Sequence, residues 1–176
     1  GFRRWPVIQA LQTLSEIGYR SVELCLEHPE LDPLNLTQAK IAEIRQSLDH
    51  FGLRVSAVSY HGKRDDFGET LFKQKAGLEL AREFGTEVLV AGTGLRTADP
   101  EGRNTSKALE ELLRAAAEIG CIVAVEPEPD TVIHGMDEFA QLVSRMAGAP
   151  IGLNLDVGHA ALTENDVGET IKKWGS

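Results

Sequence analysis

The tightest constraint on this chain is a unit that recurs five times. An amphipathic helical stretch ends at a glycine, and a short apolar run begins a few residues later. The joints read Glu16-Ile17-Gly18, His50-Phe51-Gly52, Glu83-Phe84-Gly85, Glu118-Ile119-Gly120 and Arg145-Met146-Ala147-Gly148, with glycines 34, 33, 35 and 28 residues apart. Glycine just past a helix suits the left-handed backbone, because it has no Cβ to clash. The helical stretches have the right period. Val7, Leu11, Leu14 and Ile17 share a face behind Pro6, and Ile41, Ile44, Leu48 and Phe51 do so behind a Thr37 cap. Leu109, Leu112, Ala116 and Ile119, then Phe139, Leu142, Val143 and Met146, repeat the pattern. Met136 and Met146 are read as core-facing.

The apolar runs are Val22–Leu26, Leu53–Ser59, Val88–Ala91, Ile122–Val125 and Ile151–Leu155. Such short, nearly continuous runs suit strands covered on both faces, as in a parallel sheet. Alternation with helices predicts consecutive right-handed βα units. A closed (β/α)8 barrel and an open doubly wound sheet both satisfy this pattern. No G-x-G-x-x-G loop follows the first strand, so the usual mark of a dinucleotide-binding open sheet is missing. A whole barrel needs about 250 residues. The expectation is one domain over 1–176, an incomplete barrel with about five parallel strands and six helices.

The first residue is Gly1, and the chain ends at Lys173-Trp174-Gly175-Ser176 just after a helical pattern; both ends are expected to be cut. Strand edges left unpaired by an incomplete barrel predict a partner chain, self-association or poor solubility. The net charge of −9 argues against a nucleic-acid partner and against membrane-surface binding, since both need a basic surface. No signal segment opens the chain, and no apolar run reaches 18 residues. The two cysteines, Cys25 and Cys121, sit in apolar runs and are expected to be buried free thiols in a reducing, cytoplasmic setting.

In parallel β/α folds ligands bind at the carboxyl ends of strands. Glu126 ends the run Cys121–Val125, and Pro127 stops the strand there. A carboxylate at that place is costly to bury unpaired. It is either a metal ligand or acid/base group, or one half of a salt bridge. In Ile151-Gly152-Leu153-Asn154-Leu155-Asp156-Val157-Gly158-His159, Asp156 shares a face with Asn154, and a turn at Gly158 could return His159 over Asp156. The competing role for Asp156 is a helix N-cap beside a surface histidine. Two ionised carboxylates at neighbouring strand ends repel, and a divalent cation removes that repulsion. Mostly oxygen ligands with one imidazole suit Mg²⁺, Mn²⁺ or Co²⁺, and Zn²⁺ is not excluded. His61 ends another strand and is either a substrate contact or a simple hydrogen-bonded residue. Glu23, a charge inside an apolar strand, is either a substrate or supporting contact or half of a core ion pair. Glu27-His28 carries less weight, and Gly92-Thr93-Gly94 either admits a ligand to the backbone or is only a turn.

Four segments together resemble the xylose isomerase-like TIM barrels, the superfamily of sugar phosphate isomerases and epimerases. They are Ile17-Gly18-Tyr19-Arg20-Ser21-Val22-Glu23-Leu24, Gly52-Leu53-Arg54-Val55-Ser56-Ala57, Val123-Ala124-Val125-Glu126-Pro127 and Leu155-Asp156-Val157-Gly158-His159-Ala160. The resemblance covers nearly the whole chain and aligns if the family's first strand is missing. It implies that Glu126 is a metal ligand and moves a proton, that Asp156 is a second ligand, and that His159 contacts substrate or, in some members, metal. The family's further His and Glu ligands lie on its seventh and eighth strands, which this chain lacks. Endonuclease IV-like relatives need another histidine where this chain reads Val90-Ala91-Gly92-Thr93-Gly94, which argues against DNA repair.

The implied function is a metal-dependent isomerase or epimerase of a small sugar, sugar phosphate or hydroxy-carbonyl compound. Glu126 would be the base, with His159, His61 and Glu23 as substrate contacts. A sugar dehydratase using the same enolate chemistry, or a non-catalytic metal- or sugar-binding fragment, is the alternative.

Overall fold

The computed structural model describes residues 2–62 and 66–175. Its elements follow the expected alternation: α1 Val7–Ile17, β1 Ser21–Cys25, α2 Gln38–Phe51, β2 Arg54–Tyr60, α3 Phe67–Glu83, β3 Val88–Ala91, α4 Arg103–Ile119, β4 Ile122–Val125, α5 Met136–Arg145, β5 Ile151–Leu153, α6 Val157–Thr163 and α7 Val167–Trp174. The five strands form one sheet in the order β1-β2-β3-β4-β5, and every pairing is parallel. This is a partial barrel with β1 and β5 at its edges.

The five joint glycines, Gly18, Gly52, Gly85, Gly120 and Gly148, all have positive φ. A Cβ added at any of them would meet nothing within 4 Å, so backbone conformation alone selects glycine there.

Side-chain parity divides the sheet into two faces. Leu24 and Leu26, Val58 and Tyr60, Leu89 and Ala91, and Val123 and Val125 join Ile44, Leu48, Leu78, Leu109, Leu112 and Leu142 of the helices in one core. The opposite, inner face carries a small cluster of Ala57, Val90 and Ala124. One irregularity sets this parity. Val22 pairs with Val55 but Glu23 pairs with Ala57, so Ser56 is an extra residue in β2.

Three expectations change. Cys25, on the inner face of the edge strand β1, is exposed, while Cys121 is buried as expected; both are free. β5 ends at Leu153 because Asp156 turns the chain into α6, the short helix that the N-cap alternative for Asp156 implied and the reason for seven helices rather than six. Leu26 N and Asn154 N still donate to Ser59 and Val125 carbonyls, at 2.8 and 3.0 Å, so strand pairing outlasts the formal strand ends. Met136 is buried and Met146 packs against the core, as read. Among the described residues no helix is long and apolar enough to cross a membrane.

Candidate metal and substrate site

The inner-face parity brings Glu27, His61 and Glu126 together beyond the ends of β1, β2 and β4. The Glu126 backbone N–H donates to Ala91 O at 3.2 Å, which continues the β3–β4 ladder to the glutamate before Pro127 ends it. Glu126 is 8% exposed, which makes its partners decisive. Asn154 Nδ2 donates to its Oε2 at 2.6 Å, and His61 Nε2 lies 3.4 Å from the same oxygen. The other His61 nitrogen, Nδ1, lies 3.4 Å from Glu27 Oε2, while Glu27 Oε1 accepts from Gly62 N at 3.2 Å.

This arrangement explains the ionisation of the group. Hydrogen bonds first to Glu126 and then to Glu27 push the His61 imidazole up to about 10, against the opposing effect of burial. His61 is therefore an imidazolium at neutral pH, donating from both nitrogens. Glu27 is held below the usual carboxylate range, chiefly by its bond to His61. Burial, the largest influence on Glu126, raises its pKa; His61 and Asn154 together outweigh it, and the net direction is down.

Asp156 performs the capping role and still faces the site. Its Oδ1 accepts from Gly158 N at 2.7 Å and His159 N at 3.1 Å, capping α6. The His159 amide is the main reason its pKa is lowered. His159 returns over the strand ends through this turn. Its Nδ1 lies 3.4 Å from Glu126 Oε1 and its Nε2 3.4 Å from Glu128 Oε1. The Nδ1 contact lacks hydrogen-bond alignment, so among the described residues this buried nitrogen has no hydrogen-bond partner.

The residues fit a cation. One ligand atom each from Glu126, Asp156 and His159 lies within 4.8 Å of the others. Two carboxylates and an imidazole suit a divalent ion, with remaining positions open to water or substrate. The unpartnered His159 Nδ1 is the donor such an ion would satisfy.

A cavity of about 570 Å³ adjoins the trio at Glu126 and is lined by Glu27, Tyr60, His61, Lys73, Glu126 and Glu128, among others. Glu23 is not among its lining residues. It stands four residues before Glu27 on the same face, roughly 13 Å away along an extended strand, exposed and without an ion pair among the described residues. Two site members were undervalued in the sequence. Glu27 and Glu128 have the same parity as Glu23 and Glu126, and that alternation would have found them. His28 is held by its Nε2 contact to Trp5 O and by accepting from Glu30 N at Nδ1, a structural role outside the chemistry.

Gly92-Thr93-Gly94 admits neighbouring side chains and backbone. A Cβ at Gly92 would stand 2.7 Å from His61 Cα, and one at Gly94 would stand 2.5 Å from the Phe67 ring. Gly92→Ala should destabilise the protein by about 1–3 kcal/mol through overpacking; urea unfolding checks this, and an unchanged midpoint would show that the loop yields freely.

The family model described as xylose isomerase-like TIM barrel matches residues 11–175. The chain belongs to the xylose isomerase-like TIM barrel family. Its fold is similar to that of the probable 3-DHS dehydratase AsbF of Bacillus anthracis, involved in petrobactin synthesis, with a TM-score of 0.79 and 19% identity over 98% of this chain and 66% of that one. A xylose isomerase-like TIM barrel protein from Mycobacterium smegmatis, in complex with magnesium, gives 0.75 and 21% over 90% and 59%. The apo 3-keto-D-glucoside 4-epimerase of E. coli gives 0.76 and 19% over 96% and 70%. The chain thus spans about three-fifths to two-thirds of the length of the first two. No curated protein matches it in sequence.

Proposed function

We propose that these strand ends hold a divalent cation and a small polyhydroxylated carbonyl compound, as part of an enzyme that isomerises or epimerises that compound. The carrying observation is the convergence of Glu126, Asp156 and the unpartnered His159 Nδ1 on one point. The magnesium complex of the Mycobacterium smegmatis protein and the epimerase named among the similar folds support this reading.

Glu126, Asp156 and His159 would hold the ion. When bound, a divalent cation polarises a carbonyl and acidifies the neighbouring C–H. Glu126 is ionised at neutral pH, the state a base needs, and it takes the proton from that carbon. Asn154 and His61 fix the direction of its carboxylate through Oε2. Both ring nitrogens of His61 are occupied by carboxylates, so His61 serves chiefly to orient Glu126 and reaches a substrate hydroxyl only by releasing one of them. Glu128 and Tyr60 line the cavity where the hydroxyls would lie. Glu23 keeps a substrate role only if the ligand extends well down the inner face.

Asp156 allows a clean test, because Asn caps a helix as well as Asp does. Asp156→Asn should keep the stability of α6 and weaken Mn²⁺ binding at least tenfold by calorimetric titration. Asp156→Ala should also cost roughly 0.5–2 kcal/mol of stability. Equal Mn²⁺ affinity in the wild type and Asp156→Asn would remove Asp156 from the ligand set. Adding Mn²⁺ and following epimer or ketose–aldose interconversion over a sugar panel then separates catalysis from binding alone.

A further inference from the structure

His61 is gripped through its ring by two carboxylates. It is also gripped through its backbone by α3, the helix whose Lys73 lines the cavity at Glu126. β2 and β3 pair for the last time at Tyr60 and Ala91. Just beyond, Gln74 of α3 uses one amide nitrogen twice. Its Nε2 donates to Tyr60 O and to Gly92 O, each at 3.1 Å. Gln74 is 3% exposed. Burying an amide costs free energy that an apolar residue would not incur, so the two carbonyls are what justify it. One turn earlier Thr70 Oγ1 donates to Gly62 O at 3.2 Å. Thr70 and Gln74 are four residues apart and share one face of α3.

The carbonyls on both sides of His61, those of Tyr60 and Gly62, are therefore tied to one helix. The third tied carbonyl, Gly92 O, belongs to the residue that packs against His61 Cα. Gly62 fits the same clamp: its φ is +67°, and a Cβ there would stand 2.5 Å from the Thr70 side chain.

We propose that Thr70 and Gln74 are positioning residues of the site: they fix the His61 backbone and, through the His61 ring, the orientation of the Glu126 carboxylate. This rests on the role given to His61 above. Neither residue touches the ion or the substrate.

Thr70→Val and Gln74→Met keep the shapes and remove the donors. The experiment compares His61 in the metal-free wild type and in the double variant by ¹H–¹³C spectra of the histidine rings. The His61 signal is identified by its loss in His61→Gln. In the double variant it should shift or split into several lines, while the His28, His50 and His134 signals stay in place. Leu113→Ala, which removes a buried α4 side chain that is no part of the Thr70–Gln74 clamp, controls for lost stability and should leave the His61 signal at its wild-type position. An unmoved His61 signal in the double variant overturns the proposal, and so does an equal shift in Leu113→Ala. If the double variant does not fold, Gln74→Met alone is held to the same criteria. Mn²⁺ titration of the wild type keeps the two readings apart: a displaced His61 signal in a protein that binds no Mn²⁺ upholds the clamp and rejects the metal site.

Discussion

Glu126→Gln should abolish stabilisation by Mn²⁺. The substitution keeps the side chain's size and one carbonyl oxygen for Asn154, but removes the charge shared by the cation and the His61 imidazolium. At a Mn²⁺ concentration a hundred times its Kd, the wild type gains about 2.7 kcal/mol. Loss of a central carboxylate ligand should weaken binding by two orders of magnitude or more. At the same Mn²⁺ concentration the variant would then gain only about 0.4 kcal/mol or less. Thermal melts with and without Mn²⁺ read the difference directly. An equal Mn²⁺-induced rise in both proteins would place the ion elsewhere.

The second large effect is the pH dependence of metal-free stability. The folded state raises the pKa of His61 to about 10 from 6.5. Its stabilising contribution is therefore complete below about pH 6.5, declines above that, and is gone once the pH passes about 10. The shift corresponds to a few kcal/mol at roughly 1.4 kcal/mol per unit. Glu27 and Glu126 move the other way. Their contribution is complete above the ordinary carboxylate range and is lost as pH falls through their lowered values. With EDTA present, urea unfolding should show stability falling from pH 6.5 to pH 9.5, and His61→Gln should flatten that slope. If the slope survives in His61→Gln, another group causes it.

Glu126, Asp156 and His159 were legible because each breaks a local rule. Glu126 ends an apolar strand at a proline, and Asp156 and His159 close the next strand around a glycine. The capping and ligand roles offered for Asp156 as alternatives are compatible in space. A carboxylate has two oxygens, and only Oδ1 is used by the α6 cap. α6 was signalled only by its Asp156 cap, because seven residues are too few for a helical period to show. Cys25 was misplaced for a different reason. An apolar run implies two covered faces only when something covers both, and local sequence does not report what lies across a sheet. Gln74 was the least visible residue. A buried polar side chain on an amphipathic helix reads as a solvent-facing position until the two carbonyls it serves are placed beside it.

Ser56, the extra residue of β2, has a consequence beyond a local irregularity. Side chains alternate strictly, so Val55 on the helix side would put Ala57, Ser59 and His61 on that side too. The added residue reverses the sequence of sides from Ala57 onward. Tyr60 is thereby sent among the helices, and His61 turns towards Glu27 and Glu126. Ser56 is anchored at both ends, with its Oγ donating to Val22 O and its carbonyl accepting from Thr86 Oγ1. Without the bulge, with Ser56 held in strict alternation, the strand would present a phenol where an imidazolium now stands; deleting Ser56 would instead leave His61 on the inner face. The identity of the group facing Glu126 is thus decided by whether the backbone bulges five positions upstream.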